Sequence, residues 1–345
     1  MKKFSFVLPI KIDTTTNFLG GSIKKDYDSI DRLIDIQLKT IDKFLDKQSL
    51  DKFYIICVDS ELKQVQERVT KSYPDLPFVF KTESEVLPEL KTQSWSHMTN
   101  PNWMLQQLLK MNAAKFVATE FYIILDTDVF MTQPFSYDDC FYNDKYICNV
   151  IDDFGTKPTK EKWWQHAIAI LSPDVEEVTF DKNSPSGVTD KIMNFNSIMG
   201  VTPVIYDTKQ MLSLFDEIER MYNMNYNEFL IKQSGGHPNT WIEMSIYWTW
   251  LVKQGILDDL YDCSGPNLYG NELWRSADDV RMGKALDIYY TEFEKVFDGT
   301  YEVGGWNDIV GAHQNIGKYY FSLAQSNIRQ LDWNVIKNKI NEILI

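Results

Sequence analysis

The sequence predicts an α/β protein with a mixed, mainly parallel sheet flanked by helices. Short apolar runs at residues 4–10, 53–58 and 78–80 have the length and composition of buried strands. Residues 28–45 and 61–73 lie between these runs and repeat apolar side chains with the period of a helix. Strands that alternate with helices along a chain form parallel sheets whose faces the helices cover. We therefore expect the first part of the chain to form such a sheet.

A further helix and strand follow in the same order. Residues 103–119 have the spacing of an amphipathic helix, and residues 121–125 form a continuous apolar run. Asp126-Thr127-Asp128 comes directly after that run. Because ligands of open α/β sheets gather beyond the carboxyl ends of the strands, the two carboxylates are expected at a ligand-binding edge.

The second half of the sequence is less regular than the first. The strands and helices predicted there are residues 146–151, 200–206, 207–223 and 241–254. No stretch reads as a linker between the two halves. We expect one domain over residues 1–330, followed by a helix at residues 331–345.

The charge and the cysteines limit the class of protein. Acidic residues outnumber basic ones, 49 to 35, and the formal net charge is −14. A surface of this sign repels phosphate backbones, so nucleic acid is not an expected partner. The four cysteines contain no CxxC pair and are typical of free thiols in a reducing compartment. No stretch approaches the roughly 20 apolar residues of a transmembrane helix. We expect a cytoplasmic protein that reaches membranes only through partners.

Asp126 and Asp128 have the chemistry of a divalent-cation site. Hard cations prefer oxygen ligands, and two aspartates at positions i and i+2 reach one ion where a chain turns after a strand. Such an ion bridges phosphate oxygens and neutralises charge on a leaving diphosphate. The alternative is that the two aspartates only end the strand and cap a turn. The apolar strand before them favours the cation site.

The segment from Trp103 to Asp128 resembles glycosyltransferases of the GT-A type. A helix of the form W-x-x-Q-Q-x-x-K precedes a strand that ends in D-[ST]-D, and the similarity is greatest to a little-characterised bacterial and viral group. The resemblance implies a GT-A (Rossmann-like) fold with a C-terminal extension, a nucleotide-binding half at about residues 1–135 and an acceptor half at about 136–330. It also implies that Asp126 and Asp128 bind Mn²⁺ or Mg²⁺ and the diphosphate of a nucleotide sugar.

The same resemblance places the helix that carries Gln107 and Lys110 beside the nucleotide-sugar pocket. Lys110 is then a candidate for contact with a phosphate or a sugar hydroxyl. The alternative is that Gln107 and Lys110 are ordinary solvated helix residues.

Glu243 is a candidate general base. It is the one acid in an apolar segment, and apolar surroundings raise the pKa of a carboxylate toward the range that proton abstraction needs. It would deprotonate an acceptor hydroxyl for in-line attack, which inverts the configuration of the sugar. The alternative is structural, because Thr240-x-x-Glu243 matches a capping box at the start of a helix.

His313 and Lys318 lie in a late segment that is similar to a GT-A pattern in residue types, although its spacing differs. There, the resemblance implies a further metal ligand for His313 and a phosphate contact for Lys318. The alternative is a polar surface turn.

Five tryptophans divide into two predicted roles. Polar residues flank Trp163, Trp164 and Trp241, which makes them candidates for stacking on an acceptor sugar. Trp248 and Trp250 lie on an apolar helix and are expected in the core.

The combined prediction is an inverting hexosyl- or pentosyltransferase. It would move a sugar from a nucleotide-diphosphate sugar to a hydroxyl of a glycan or other acceptor, in glycan or polysaccharide synthesis. A nucleotidyltransferase is one alternative, but residues 9–16 lack the glycine-rich basic loop that grips a triphosphate. The other alternative is a non-catalytic carbohydrate-binding protein on the same fold, which the intact Asp126 and Asp128 disfavour.

Overall fold

The structure is a computed structural model that describes residues 2–12, 15–18, 21–24, 28–91, 101–150, 158–181, 183–200, 202–234, 240–265, 268, 321–323 and 333–344. Its strands are β1 (Phe4–Ile10), β2 (Thr15–Phe18), β3 (Gly21–Lys24), β4 (Leu50–Cys57), β5 (Phe78–Thr82), β6 (Phe121–Ile124), β7 (Val129–Met131), β8 (Phe141–Tyr142), β9 (Lys145–Ile147), β10 (Glu177–Phe180), β11 (Gly187–Thr189), β12 (Ile192–Phe195), β13 (Val204–Asp207), β14 (Tyr261–Asp262) and β15 (Phe321–Leu323). Its α-helices are α1 (Ser29–Arg32), α2 (Leu38–Phe44), α3 (Leu62–Ser72), α4 (Glu83–Val86), α5 (Pro101–Asn112), α6 (Pro158–Leu171), α7 (Thr208–Tyr222), α8 (Tyr226–Lys232), α9 (Glu243–Gln254), α10 (Leu257–Leu260) and α11 (Trp333–Ile343).

The central sheet has five strands in the order β13–β6–β1–β4–β5. β1 pairs in parallel with β4, and β4 pairs in parallel with β5, whereas β13 is antiparallel to β6. Helices alternate with the parallel strands along the chain. The predicted α/β class with a mainly parallel sheet is confirmed.

The chain divides into two compact units. Unit 1 comprises residues Met1–Thr82, Leu125–Cys140 and Pro266–Ile345, and unit 2 comprises Glu83–Ile124 and Phe141–Gly265. The predicted single domain with halves near residue 135 is a different division, and it stays a prediction.

The core of unit 1 is built on β1, whose seven side chains are all buried. Its helical segment after β3 begins at Asp28, whose carboxylate accepts a hydrogen bond from Asp31 N and so caps α1. Between α1 and α2, Leu33–Gln37 forms a π-helical turn instead of regular α-helix. Such turns are rare and frequently occur at functional sites.

The core of unit 2 surrounds β6 and α9. All four side chains of β6 are buried, and Tyr122 of β6 lies opposite Tyr206 of β13. α9 buries most of its residues and ends at Gly255, whose φ of 66° lies in the left-handed region that glycine adopts without strain. Two small sheets complete this unit, with the strand orders β10–β12–β11 and β14–β9–β8.

Candidate functional site

Asp126-Thr127-Asp128 forms a tight turn between two buried strands. Before it, Leu125 N donates to Val7 O over 2.9 Å, and after it the side chains of β7 are buried. The turn is closed by a backbone hydrogen bond of 3.1 Å from Val129 N to Asp126 O. All three residues of the turn are half-buried, so the carboxylates lie at the surface of the core and not inside it.

Two buried polar side chains of the preceding helical segment contact this turn. Gln37, the last residue of the π-helical turn, is fully buried and donates from Nε2 to Asp126 O over 2.8 Å. Arg32, which is 4% exposed, approaches Thr127 Oγ1 with Nη2 at 3.5 Å. A buried amide therefore fixes the backbone of the turn, and a buried cation lies beside it. We did not predict either residue from the sequence, because neither belongs to a motif.

The C-terminal helix supports the same segment within unit 1. The guanidinium carbon of Arg32 lies 5.1 Å from the ring centroid of Trp333, a cation–π contact. Lys337 Nζ contacts Asp35 Oδ2 at 2.6 Å, which joins α11 to the π-helical turn. Thus Arg32 contacts both α11 and the Asp126-Thr127-Asp128 turn, which we call the aspartate turn.

The donor set of the turn fits a divalent cation that is shared with a substrate. Within the described part of the chain, no three His, Cys, Asp or Glu side chains converge on a point that would hold an ion. Mg²⁺-type sites often use only one or two carboxylates and take their remaining ligands from phosphates and water. Asp126 and Asp128 match that composition. His313 and Lys318, the other predicted members of this site, lie outside the described residues.

In unit 2, Lys110 and Glu243 form a buried ion pair. Lys110 Nζ lies 3.2 Å from Glu243 Oε1, and the side chains are only 4% and 1% exposed. The pair joins α5 to α9. Two residues that were predicted separately as site residues are therefore in contact, and no residue pattern predicts this contact.

The capping-box alternative for Glu243 is wrong. The residue before α9 is Ile242, whose N–H donates to Ser245 Oγ over 3.1 Å, so Ser245 takes the part expected of Glu243. The hydroxyl of Thr240 is directed to Met104 Sδ at 3.8 Å. Glu243 is the first residue of the helix, and its carboxylate is used by Lys110.

Gln107 and Lys110 are both 3% exposed, so the alternative that they are solvated is also wrong. Gln107 Nε2 donates to Trp103 O one turn earlier on α5, over 3.0 Å. Tyr122 OH donates to Lys110 O over 3.3 Å and is itself deeply buried. Burial raises the pKa of Tyr122 far above its ordinary value, and the nearby Tyr247, Tyr226 and Glu243 raise it further. Tyr122 is therefore a neutral hydrogen-bond donor at neutral pH.

The tryptophans fall into two groups. Trp164 and Trp241 are buried, as are Trp248 and Trp250, and Trp164 packs edge-on against Phe195. Trp163 is only half-buried and lies beside the half-buried Trp103 of α5, with ring centroids 5.9 Å apart and planes inclined by 34°. Among the three predicted stacking residues, Trp163 alone is not fully buried.

A second buried polar network lies around Asp207. Its Oδ1 accepts from Gln210 N over 2.8 Å and caps α7, while its Oδ2 accepts from Tyr146 OH over 3.2 Å. Tyr247 OH accepts from Asp207 N over 3.1 Å and lies 3.0 Å from Tyr261 OH. Burial and the Asp207 charge raise the pKa of Tyr146 well above its ordinary value. The network ties α7, α9 and the small β14–β9–β8 sheet together.

No described helix combines the length and the apolar character that a bilayer crossing requires.

Known proteins provide three comparisons by structure. The chain is similar to mouse xyloside xylosyltransferase 1 in its apo form, at 8% identity over 94% of this chain and 99% of that chain, with a TM-score of 0.45. It is similar to core-mannan synthase A of Aspergillus fumigatus in its Mn/GDP form, at 11% identity over 73% and 70% of the two chains, with a TM-score of 0.42. It is also similar to the glycosyltransferase GlyE of Streptococcus pneumoniae, at 12% identity over 100% and 64%, with a TM-score of 0.38. Similarities of this size say nothing about substrate or metal.

Comparison by sequence gives a different kind of result. No curated protein sequence matched the chain. The model of a family of unknown function, DUF6492, matches residues 1–301, which is most of the chain. The protein therefore belongs to the family of unknown function DUF6492.

Proposed function

We propose that the protein is a metal-dependent glycosyltransferase that moves a sugar from a nucleotide-diphosphate sugar to a hydroxyl acceptor. The observation that carries this proposal is the Asp126-Thr127-Asp128 turn, half-buried directly after a buried strand. The hydrogen bonds from Val129 N and Gln37 Nε2 both go to the backbone carbonyl of Asp126. These bonds hold the turn in shape and keep both carboxylates at the carboxyl end of a buried strand, where open α/β sheets bind their ligands.

Asp126 and Asp128 would hold Mn²⁺ or Mg²⁺ together with the donor diphosphate. When bound, the cation supplies neutralisation of the charge that develops on the leaving diphosphate. Gln37 fixes the backbone between the two carboxylates, and Arg32 adds positive charge next to Thr127. These two residues are positioning residues in the proposal. His313 as a third metal ligand and Lys318 as a phosphate contact remain part of it.

Glu243 is kept in the proposal as the general base, with Lys110 and Gln107 as residues of the donor pocket. The ion pair adds a competing role, in which Glu243 holds the charged Lys110 in place and acts through it. The two roles differ in one consequence. Loss of a base abolishes transfer and leaves donor affinity unchanged, whereas loss of a holding residue lowers donor affinity, because Lys110 belongs to the proposed donor pocket.

For the acceptor side, we propose that Trp103 and Trp163 bind a sugar ring. Indole rings present apolar faces on which the C–H groups of a sugar stack, and here two half-buried tryptophans lie with their ring centroids 5.9 Å apart. Trp164 and Trp241 are excluded from this role, because they are buried in the core.

A calorimetric titration of the full chain with a panel of nucleotide-diphosphate sugars, with and without Mn²⁺, tests the proposal. We expect one or more of the sugars to bind only when Mn²⁺ is present, and EDTA to reverse the binding. Incubation of the protein with that nucleotide-diphosphate sugar, Mn²⁺ and a panel of glycans should then release the nucleoside diphosphate. Binding of a nucleoside triphosphate with release of pyrophosphate would instead identify a nucleotidyltransferase. If no nucleotide binds with any divalent cation, both enzymatic readings fail.

A further inference from the structure

Two cysteines of unit 2 follow paired strands at the same position. β9 and β14 pair in parallel, with Tyr146 opposite Tyr261 and Ile147 opposite Asp262. Cys148 and Cys263 are the next residues on the two chains. Neighbouring strands lie about 4.8 Å apart, and disulfides join residues whose Cα atoms are roughly 4.4–6.8 Å apart. The register therefore brings the two cysteines within bridging distance.

The two thiols are free, and they interact. Cys148 is 3% exposed, whereas Cys263 is half-buried. Burial raises the pKa of Cys148 well above its ordinary value, and a hydrogen bond with the Cys263 thiol raises it further. That second effect requires the two sulfur atoms to be close to each other. The strand register places the two cysteines side by side, and the thiol interaction agrees with that placement.

Hydrogen bonds hold the backbone around Cys263 in this position. Asp262 Oδ2 accepts from Asn143 Nδ2 over 2.9 Å, and Asp262 Oδ1 accepts from Ser264 N over 2.9 Å. The first of these bonds joins the end of β14 to the turn between β8 and β9. Cys263 is thus fixed on the same small sheet as Cys148 and does not lie on an independent loop.

We propose that Cys148 and Cys263 are a modification site, at which a small-molecule disulfide such as oxidised glutathione converts the two thiols into a reversible disulfide. Cys263 is the attacking residue because it alone reaches the surface. Cys148 is the resolving residue because it is buried against its partner. The proposal does not depend on the glycosyltransferase activity.

The chemistry balances in two exchange steps. The Cys263 thiol loses its proton to solvent, and the thiolate attacks one sulfur of oxidised glutathione. A Cys263–glutathione bond forms, and the other glutathione leaves as a thiolate. Cys148 then loses its proton, and its thiolate attacks Cys263 Sγ, which expels the second glutathione. One glutathione disulfide is reduced to two glutathione thiols, and two protein thiols are oxidised to one disulfide.

The test is to incubate the full-length native protein with oxidised glutathione, alkylate the remaining thiols, and digest it without reduction for mass spectrometry. We expect a peptide that links Cys148 to Cys263, no bound glutathione, and loss of the linked peptide after treatment with dithiothreitol. Cys148→Ala should stop the reaction at a Cys263–glutathione mixed disulfide. Cys263→Ser should abolish the link, and because Cys263 is half-buried this variant carries little risk to the fold.

Cys57→Ser and Cys140→Ser are the matched controls, because both thiols are buried and belong to unit 1. Each control should form the Cys148–Cys263 link as the unmodified chain does. A stable mixed disulfide at Cys263 in the unmodified chain would overturn the proposal, since it would show that Cys148 does not reach its partner. A link between any other two cysteines, or no reaction at Cys263, would overturn it as well.

Discussion

The aspartate turn of unit 1 and the ion pair of unit 2 hold charged side chains in opposite environments. Asp126 and Asp128 are half-buried on a turn whose shape is fixed by bonds to backbone atoms. Lys110 and Glu243 are almost fully buried and use their charged groups on each other. The comparison teaches that a charge at a strand end can keep contact with solvent, whereas a charge inside an apolar helix is stable only when an opposite charge lies beside it.

The largest expected effect comes from breaking the buried pair on one side. Lys110→Met leaves the Glu243 carboxylate in the core without its ammonium partner, so we expect the free energy of unfolding to fall by about 3–5 kcal/mol. Denaturant titration measures this change. The double variant Lys110→Met/Glu243→Met should be more stable than either single variant, because it leaves no buried charge. Additive losses in the double variant would contradict this account of the pair.

Variants of Lys110 and Glu243 also test whether Glu243 is the general base. In the proposed role as general base, Glu243→Gln abolishes transfer while the donor still binds, whereas Lys110→Met, at a residue of the proposed donor pocket, weakens donor binding. Transfer rates and donor affinity measured together on the two variants provide the comparison. Weakened donor binding in Glu243→Gln would show that Glu243 acts by holding Lys110, and transfer at the normal rate would exclude Glu243 as the base.

The next effect is expected at the aspartate turn. Asp128→Ala removes one of two carboxylates from the proposed cation site, so we expect Mn²⁺-dependent donor affinity to fall at least about 100-fold, or roughly 3 kcal/mol. Because Asp128 is half-buried on a turn, the thermal unfolding midpoint should change little. Calorimetry and thermal unfolding of the same sample measure both quantities. Unchanged donor affinity would remove Asp128 from the site.

A smaller effect should follow from loosening the turn without touching its carboxylates. Gln37→Met removes the buried amide that donates to Asp126 O, and we expect a loss of about 1–2 kcal/mol in unfolding free energy. Donor affinity should fall about 10-fold, as for residues that orient metal ligands. Gln64→Met, at an exposed position of α3, is the matched control. Equal donor affinity in the two variants would exclude a positioning role for Gln37.

The smallest expected effect concerns an ion pair at the surface of unit 2. A hydrogen bond from Arg220, together with Lys253 of α9, lowers the pKa of Glu217 from 4.5 to about 2. A lowered folded-state pKa stabilises the protein above the ordinary pKa, and the contribution is lost as the pH falls from 4.5 toward 2. Glu217→Gln should therefore cost about 1 kcal/mol or less at pH 7, and the difference should disappear in acid. Unfolding curves across this pH range measure it. A difference that persists in acid would contradict the charge-based explanation.

Much of the fold was predictable because it follows from apolar periodicity. β1 has the predicted bounds, and α7 and α9 lie within one or two residues of the predicted helices. The predicted helix at residues 103–119 is shorter, since α5 ends at Asn112, whose side chain donates to Leu108 O and to Asn227 Oδ1. α6 was not predicted, because the apolar residues of its 14-residue segment show little helical periodicity. The strand order of the small sheets was not predicted, because short strands carry little periodic signal.

The candidate site was predictable only where it follows from local sequence. Asp126 and Asp128 were found because a strand end and a residue pattern coincide. Gln37 and Arg32 were not found, because their contacts with the aspartate turn depend on a π-helical turn that no residue pattern predicts. The pairing of Lys110 with Glu243 requires knowing how α5 meets α9, which is a property of the tertiary structure.

The contact between α11 and the π-helical turn has a consequence for folding. Arg32 and Trp333 meet in unit 1, although nearly the whole chain separates them. Contacts between residues so distant in sequence form slowly, because closing the long loop between them costs chain entropy before the contact can stabilise the fold. On the ribosome, the helical segment that supports the aspartate turn must wait for Trp333 and Lys337 to emerge. The aspartate turn is therefore synthesised well before α11, and it gains this support only after α11 has been made.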